Sequence, residues 1–75
     1  MLSFNKHGGR RMTKLTLEDI REINHLSNYD MAMIMGISVD EYDYYKNHPG
    51  DLEIGNTLLL SNTLNIGINY IKTGI

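Results

Sequence analysis

From Thr16 onward, apolar residues recur every three or four positions, and a polar residue of capping type stands at each break in the pattern. Leu17, Ile20, Ile23 and Leu26 keep one buried stripe. Thr16 precedes it as an N-cap, with Glu18 and Asp19 in the first turn where acids suit the helix dipole. Ser27 with Asp30 opens a second helix, apolar at Met31, Ala32 and Met35, and Gly36 falls where a left-handed residue ends it. Ser38 with Glu41 is a capping box that opens a third helix, Val39 to about Asn47. Pro49-Gly50 marks a turn. Asp51 is expected to cap a fourth helix with Ile54, Leu58, Ser61 and Leu64 on one face, ended by Asn65 and Gly67. A short segment with Ile68, Tyr70 and Ile71 closes the chain, and strand-type alternation is sustained nowhere. The pattern predicts an all-α domain of five short helices over residues 14–75. Residues 1–13 show no periodicity and are expected to be a flexible basic N-terminal arm or a non-native extension.

Length and composition narrow the possibilities. Seventy-five residues make one small domain, near the limit at which a single core holds alone. The absence of Cys excludes disulfides, thiolate metal sites and a cysteine nucleophile. No apolar run is long enough to span a bilayer, and no signal-peptide apolar region is visible, so a soluble, cytoplasmic domain without a membrane partner is expected. His7, His25 and His48 are scattered, and no nucleophile elbow, phosphate loop or paired acid and base is present. The expectation is a non-enzyme without cofactor or metal.

Charge changes the picture more. The net charge is −2, but residues 1–16 carry four bases and no acid, whereas residues 17–75 carry three bases against nine acids. A folded body at −6 repels nucleic acid unless its few cations gather where it docks.

The two caps at Ser27 and Ser38, with Gly36 between two short helices, fit a helix-turn-helix. Ala32 would permit a close crossing, and Ile37 would plug the corner. The stretch Leu26-Ser27-Asn28-Tyr29-Asp30-Met31-Ala32 through Met35-Gly36-Ile37-Ser38 resembles the Cro/repressor (XRE) helix-turn-helix pattern. Leu64-Asn65-Ile66, with Ile68 and Tyr70, resembles that family's closing segment. The resemblance spans roughly residues 17–72 and implies a compact five-helix lambda-repressor-like domain, common in phage and prophage regulators. It also implies a phosphate-contacting place for Asn28.

The base-reading positions depart from that pattern. Val39, Asp40, Asp43 and Tyr44 should face outward on the third helix, with Glu41 beside them, where a DNA reader carries amides and guanidinium groups. Lys46 is the only cation between residues 27 and 48. Met33 and Ile34 replace polar residues on the outer side of the second helix and, with Val39, Tyr44 and Tyr29, would make an apolar patch ringed by carboxylates. Met31 and Met35 are expected in the core with Tyr42 and Tyr45; Met33 cannot share their face.

Aromatic and apolar side chains inside a charged rim describe a protein-binding surface. The expected function is that of a small modulator of repression, or antirepressor, in a lysis/lysogeny switch. Its partner would be a basic protein such as a phage repressor, whose operator binding it alters. Two alternatives stand beside it. One is a conventional Cro-like dimer on operator DNA, with the third helix in the major groove aided by the basic arm, Asn28 and Lys46, and the surplus leucines at 58–60 serving dimerisation. The other is an acidic DNA mimic that inhibits a nucleic-acid enzyme.

Overall fold

A computed structural model describes residues 14–73, so the arm expected at residues 1–13 lies outside the described residues. Four α-helices follow in order: α1 Leu17–Ile23, α2 Asn28–Met35, α3 Val39–Asn47 and α4 Ile54–Leu64. Short 3-10 turns stand at Pro49–Asp51 and Ile68–Tyr70. The architecture is all-α, but the expected fifth helix is only the three-residue turn Ile68–Tyr70. It cannot extend, because Ile71 is drawn into extended backbone and pairs in parallel with Leu15. Leu15 N–H donates to the Tyr70 carbonyl and Lys72 N–H to the Leu15 carbonyl, both at 2.7 Å.

The first three helices begin alike. Thr16, Ser27 and Ser38 each accept at 3.0 Å from the N–H three residues on. The carboxylates of Asp19, Asp30 and Glu41 accept in return from the cap N–H at 3.0, 3.0 and 2.8 Å. Each reciprocal pair satisfies two N–H groups that a helix start would otherwise leave orphaned.

Three helices also end alike. His25, Gly36 and Asn65 sit at φ 57°, 72° and 56°. The next residue then donates back across the turn: Leu26 to Arg21, Ile37 to Ala32 and Ile66 to Ser61, at 2.9, 3.0 and 3.0 Å. Leu26, Ile37 and Ile66 all pack against the core, so each exit reverses the chain and seals the reversal with an apolar side chain.

The core is Leu17 and Ile20 from α1, Met31, Ala32 and Met35 from α2, Tyr42 from α3, Leu60 from α4, and Ile71. Central α2 packs against both α3 and α4. Its Met31, Ala32 and Met35 form the expected stripe, and buried Ala32 removes bulk where helices approach. α4 is fixed to the end of α2 by Asn56, whose amide donates to the Met35 carbonyl at 2.9 Å. α3 is tied to α1 by a polar brace: the Tyr42 hydroxyl donates to Glu18 at 2.8 Å, and Arg21 grips the same carboxylate at 2.9 Å. Arg21 also donates to the Leu26 carbonyl at 3.1 Å.

Three local expectations are corrected. Asp51 does not cap α4; it lies in the 3-10 turn after Pro49, and Glu53 takes the N-cap position without a side-chain bond. α4 turns Thr57 and Leu60 into the core, whereas Ile54 and Leu58 are exposed. Thr57 tolerates burial because its hydroxyl donates to the Glu53 carbonyl at 3.2 Å. Ile23 is exposed too, because α1 stops there and the chain leaves through left-handed His25.

Candidate functional site

The two caps at Ser27 and Ser38 fix where α2 and α3 start, and Gly36 sets the corner between them. Its N–H bonds to the Ala32 and Met33 carbonyls, while Ile37 tucks against the core. The residues left outside by this corner make up the candidate site.

On α2, Tyr29 and Met33 are one helical turn apart and 61% and 63% exposed. Ile34 does not join them as expected: at 100° per residue it falls on the flank of the buried stripe, and it packs half-buried against the core. Asn28 is the first residue of α2 and is exposed.

On α3, the exposed side carries Val39, Asp40, Asp43 and Tyr44, as the spacing predicts, together with Asn47. The carboxylates differ in their freedom. Glu41 is spent on the N-cap, with one oxygen held by the Ser38 N–H at 2.8 Å. Asp43 pairs with Lys46 at 3.1 Å, and this pair holds the Lys46 ammonium with its side chain only 24% exposed. Asp40 makes no hydrogen bond or ion pair among the described residues and stands fully available in the first turn.

Tyr44 is less free than its exposure suggests. Its ring stacks on His48, with centroids 4.2 Å apart and planes inclined by 13°, and meets the Tyr45 ring edge-on at 5.6 Å. The Tyr44 hydroxyl donates to the Asp51 carboxylate, and that bond, followed by burial, pushes its ionisation upward. His48 is itself held by a 3.0 Å contact between Nδ1 and the Tyr44 carbonyl. The aromatic side chain is therefore pre-positioned, which lowers the entropy lost on meeting a partner. The four-residue spacing of Tyr44 and His48 was the available signal for this stack, which sequence reasoning missed. The Asp51 contact had none, since it depends on the turn after Pro49.

Elsewhere the polar groups serve the fold. Arg21 hydrogen bonds, reinforced by the Tyr42 hydroxyl and opposed by burial, hold the Glu18 carboxyl below its ordinary range. Burial, and then the bond to Glu18, pushes the Tyr42 phenol far upward. Among the described residues, no three His, Asp or Glu side chains converge to hold a metal ion, and no helix is long and apolar enough to cross a membrane.

The exposed surfaces of α2, with Tyr29 and Met33, and of α3, with Val39 and Tyr44, carry apolar and aromatic side chains, while Asp40 has no side-chain partner among the described residues and Asp43 pairs with Lys46. Such a surface can bury apolar area and attract a cation. No family model matches the chain, and no curated protein or solved structure matches it.

Proposed function

We propose that this chain is a small regulator of the Cro/repressor helix-turn-helix type, and that its α2–α3 surface binds a basic protein instead of DNA. The partner class is a phage-type repressor, whose Arg- and Lys-bearing DNA-reading helix would meet Asp40 and Asp43 while Tyr29, Met33, Val39 and Tyr44 bury apolar area. Pairing of this kind occludes the partner's DNA surface and alters operator occupancy in a lysis/lysogeny switch. The observation that carries the reading is the state of Lys46. It is the only cation between residues 27 and 48, and it is half-buried and held by Asp43. The face that a helix-turn-helix presents to the major groove is thus left acidic and apolar.

A resident repressor, added to the purified chain and to operator duplex at low salt, tests the reading. The expected result is capture of the repressor and loss of its operator complex, with no binding of the chain to duplex alone. Replacing Asp40, Glu41 and Asp43 by Asn, Gln and Asn should weaken the capture at least tenfold, with helicity unchanged, since Gln also completes a capping box. Sub-micromolar binding of the chain to duplex with a steep salt slope would overturn the proposal in favour of an operator-binding repressor, in which the resemblance gives exposed Asn28 a phosphate contact. Capture of a nuclease or polymerase in place of the repressor would make the chain a DNA mimic.

A further inference from the structure

The segment before the fold and the exposed sides of α2 and α3 are opposite in charge and alike in carrying apolar side chains. Residues 1–13 contain Lys6, Arg10 and Arg11 without an acid, and Met1, Leu2 and Phe4 stand at their head. Residues 17–75 sum to −6 while the whole chain carries −2, so the counter-charge lies in the stretch that leads into the fold.

The carboxylates this segment can meet are set by the structure. Asp40 has no side-chain partner among the described residues, and Asp43 shares its charge with Lys46 at 3.1 Å. The same two helices expose Tyr29, Met33, Val39 and Tyr44. The outer side of α4 suits the segment less. It exposes Ile54, Leu58 and Leu59, but residues 54–71 contain no carboxylate to receive three cations.

Reach is not limiting. The Leu15–Ile71 bridge fixes the point at which the segment joins the fold. Glu18, three residues after Leu15, accepts from the Tyr42 hydroxyl of α3 at 2.8 Å, so the segment leaves the fold beside α3. Thirteen residues can extend about 43 Å from that root. So short a tether holds the segment at an effective concentration on the order of millimolar, which populates a contact too weak to retain a free peptide.

We propose that residues 1–13 dock on the exposed sides of α2 and α3 of their own chain, with Lys6, Arg10 and Arg11 against Asp40 and Asp43, and Phe4 among the apolar side chains of the same helices. The docked segment covers the surface assigned to the basic partner, which must displace it to bind. That competition rests on the partner-binding reading; the docking does not.

The chain has no cysteine, so Ser3→Cys accepts a single nitroxide label beside Phe4. At low salt, the amide signals of Tyr29, Met33, Val39, Asp40 and Tyr44 in the intact chain should fall below half of their intensity with the label reduced. They should recover in about 0.5 M salt, where screening leaves a range of about 4 Å, and in the chain carrying Asp40→Asn and Asp43→Asn. An unlabelled chain with Lys6, Arg10 and Arg11 replaced by Gln should show shifted signals at the same residues. Attenuation spread evenly over the domain, or centred on Leu58 and Leu59, would overturn the docking. So would attenuation that fades on dilution, which belongs to a second copy, or that survives both Asp→Asn changes unaltered. Neither repressor nor duplex enters the measurement, so its failure leaves the partner-binding reading standing, and failed capture leaves the docking standing.

Discussion

Gly36 and His25 occupy the same left-handed region, at φ 72° and 57°, and only one of them is a glycine. Gly36 was legible because glycine between two caps marks a helix exit. His25 was not, since a side chain forced into that region leaves no trace in the sequence. The two positions should respond oppositely to substitution. Gly36→Ala should cost about 1–2 kcal/mol, from backbone strain and not crowding, since the nearest side-chain atom, on Leu59, would lie 3.4 Å from the added Cβ. His25→Gly should relieve strain and gain up to about 1 kcal/mol, less the extra freedom glycine has when unfolded. Urea denaturation of both variants checks the pair. Tyr42→Phe tests the brace between α3 and α1 in the same assay. It removes the donor to Glu18 yet leaves that carboxylate held by Arg21, so the expected loss is about 1–2 kcal/mol.

At the scale of the helices, the starts were readable and one buried face was not. Thr16, Ser27 and Ser38 announce their helices because a hydroxyl three residues before a carboxylate can serve both orphaned N–H groups. The run Leu58-Leu59-Leu60 defeats the same reasoning for α4, because three adjacent leucines fit several helical phases equally well. The phase adopted admits Thr57, whose hydroxyl bonds within its own helix, and leaves Leu58 and Leu59 outside. The brace carboxylate of Glu18 and the cap carboxylate of Asp30 also make the helices sensitive to acid. Arg21 hydrogen bonds hold the Glu18 carboxyl below its ordinary range, and the Ser27 N–H followed by its hydroxyl does the same for Asp30. For both, the folded value lies below the unfolded one, so the stabilisation is complete above the unfolded value and disappears as pH falls through the folded one. Melting temperatures followed by circular dichroism should hold steady from neutrality to about pH 5 and drop below about pH 4. Ser38→Ala should cost about 1 kcal/mol through loss of the α3 cap. It should also weaken partner capture, because Val39 and Asp40 lie in the turn that frays.

For the molecule as a whole, charge was the most readable property and its local disposition the least. Counting gives −6 over residues 17–75, but nothing in the count shows that one oxygen of Glu41 is held by a cap, that one oxygen of Asp43 pairs with Lys46, or that Asp40 is left open. If the chain meets the proposed basic partner through this field, association should slow about tenfold between about 50 mM and 500 mM salt, chiefly in the on-rate, as stopped-flow mixing would measure. The all-α class was likewise evident from periodicity, whereas the pairing of Leu15 with Ile71 was invisible, because two residues in a single bridge carry no strand pattern. That bridge brings the start and the finish of the described chain together, so the domain is nearly a ring whose order of connection is a matter of covalent convenience. A permuted chain, joined by a short Gly-Ser linker from Thr73 to Lys14 and opened between Pro49 and Gly50, would keep its four helices in place.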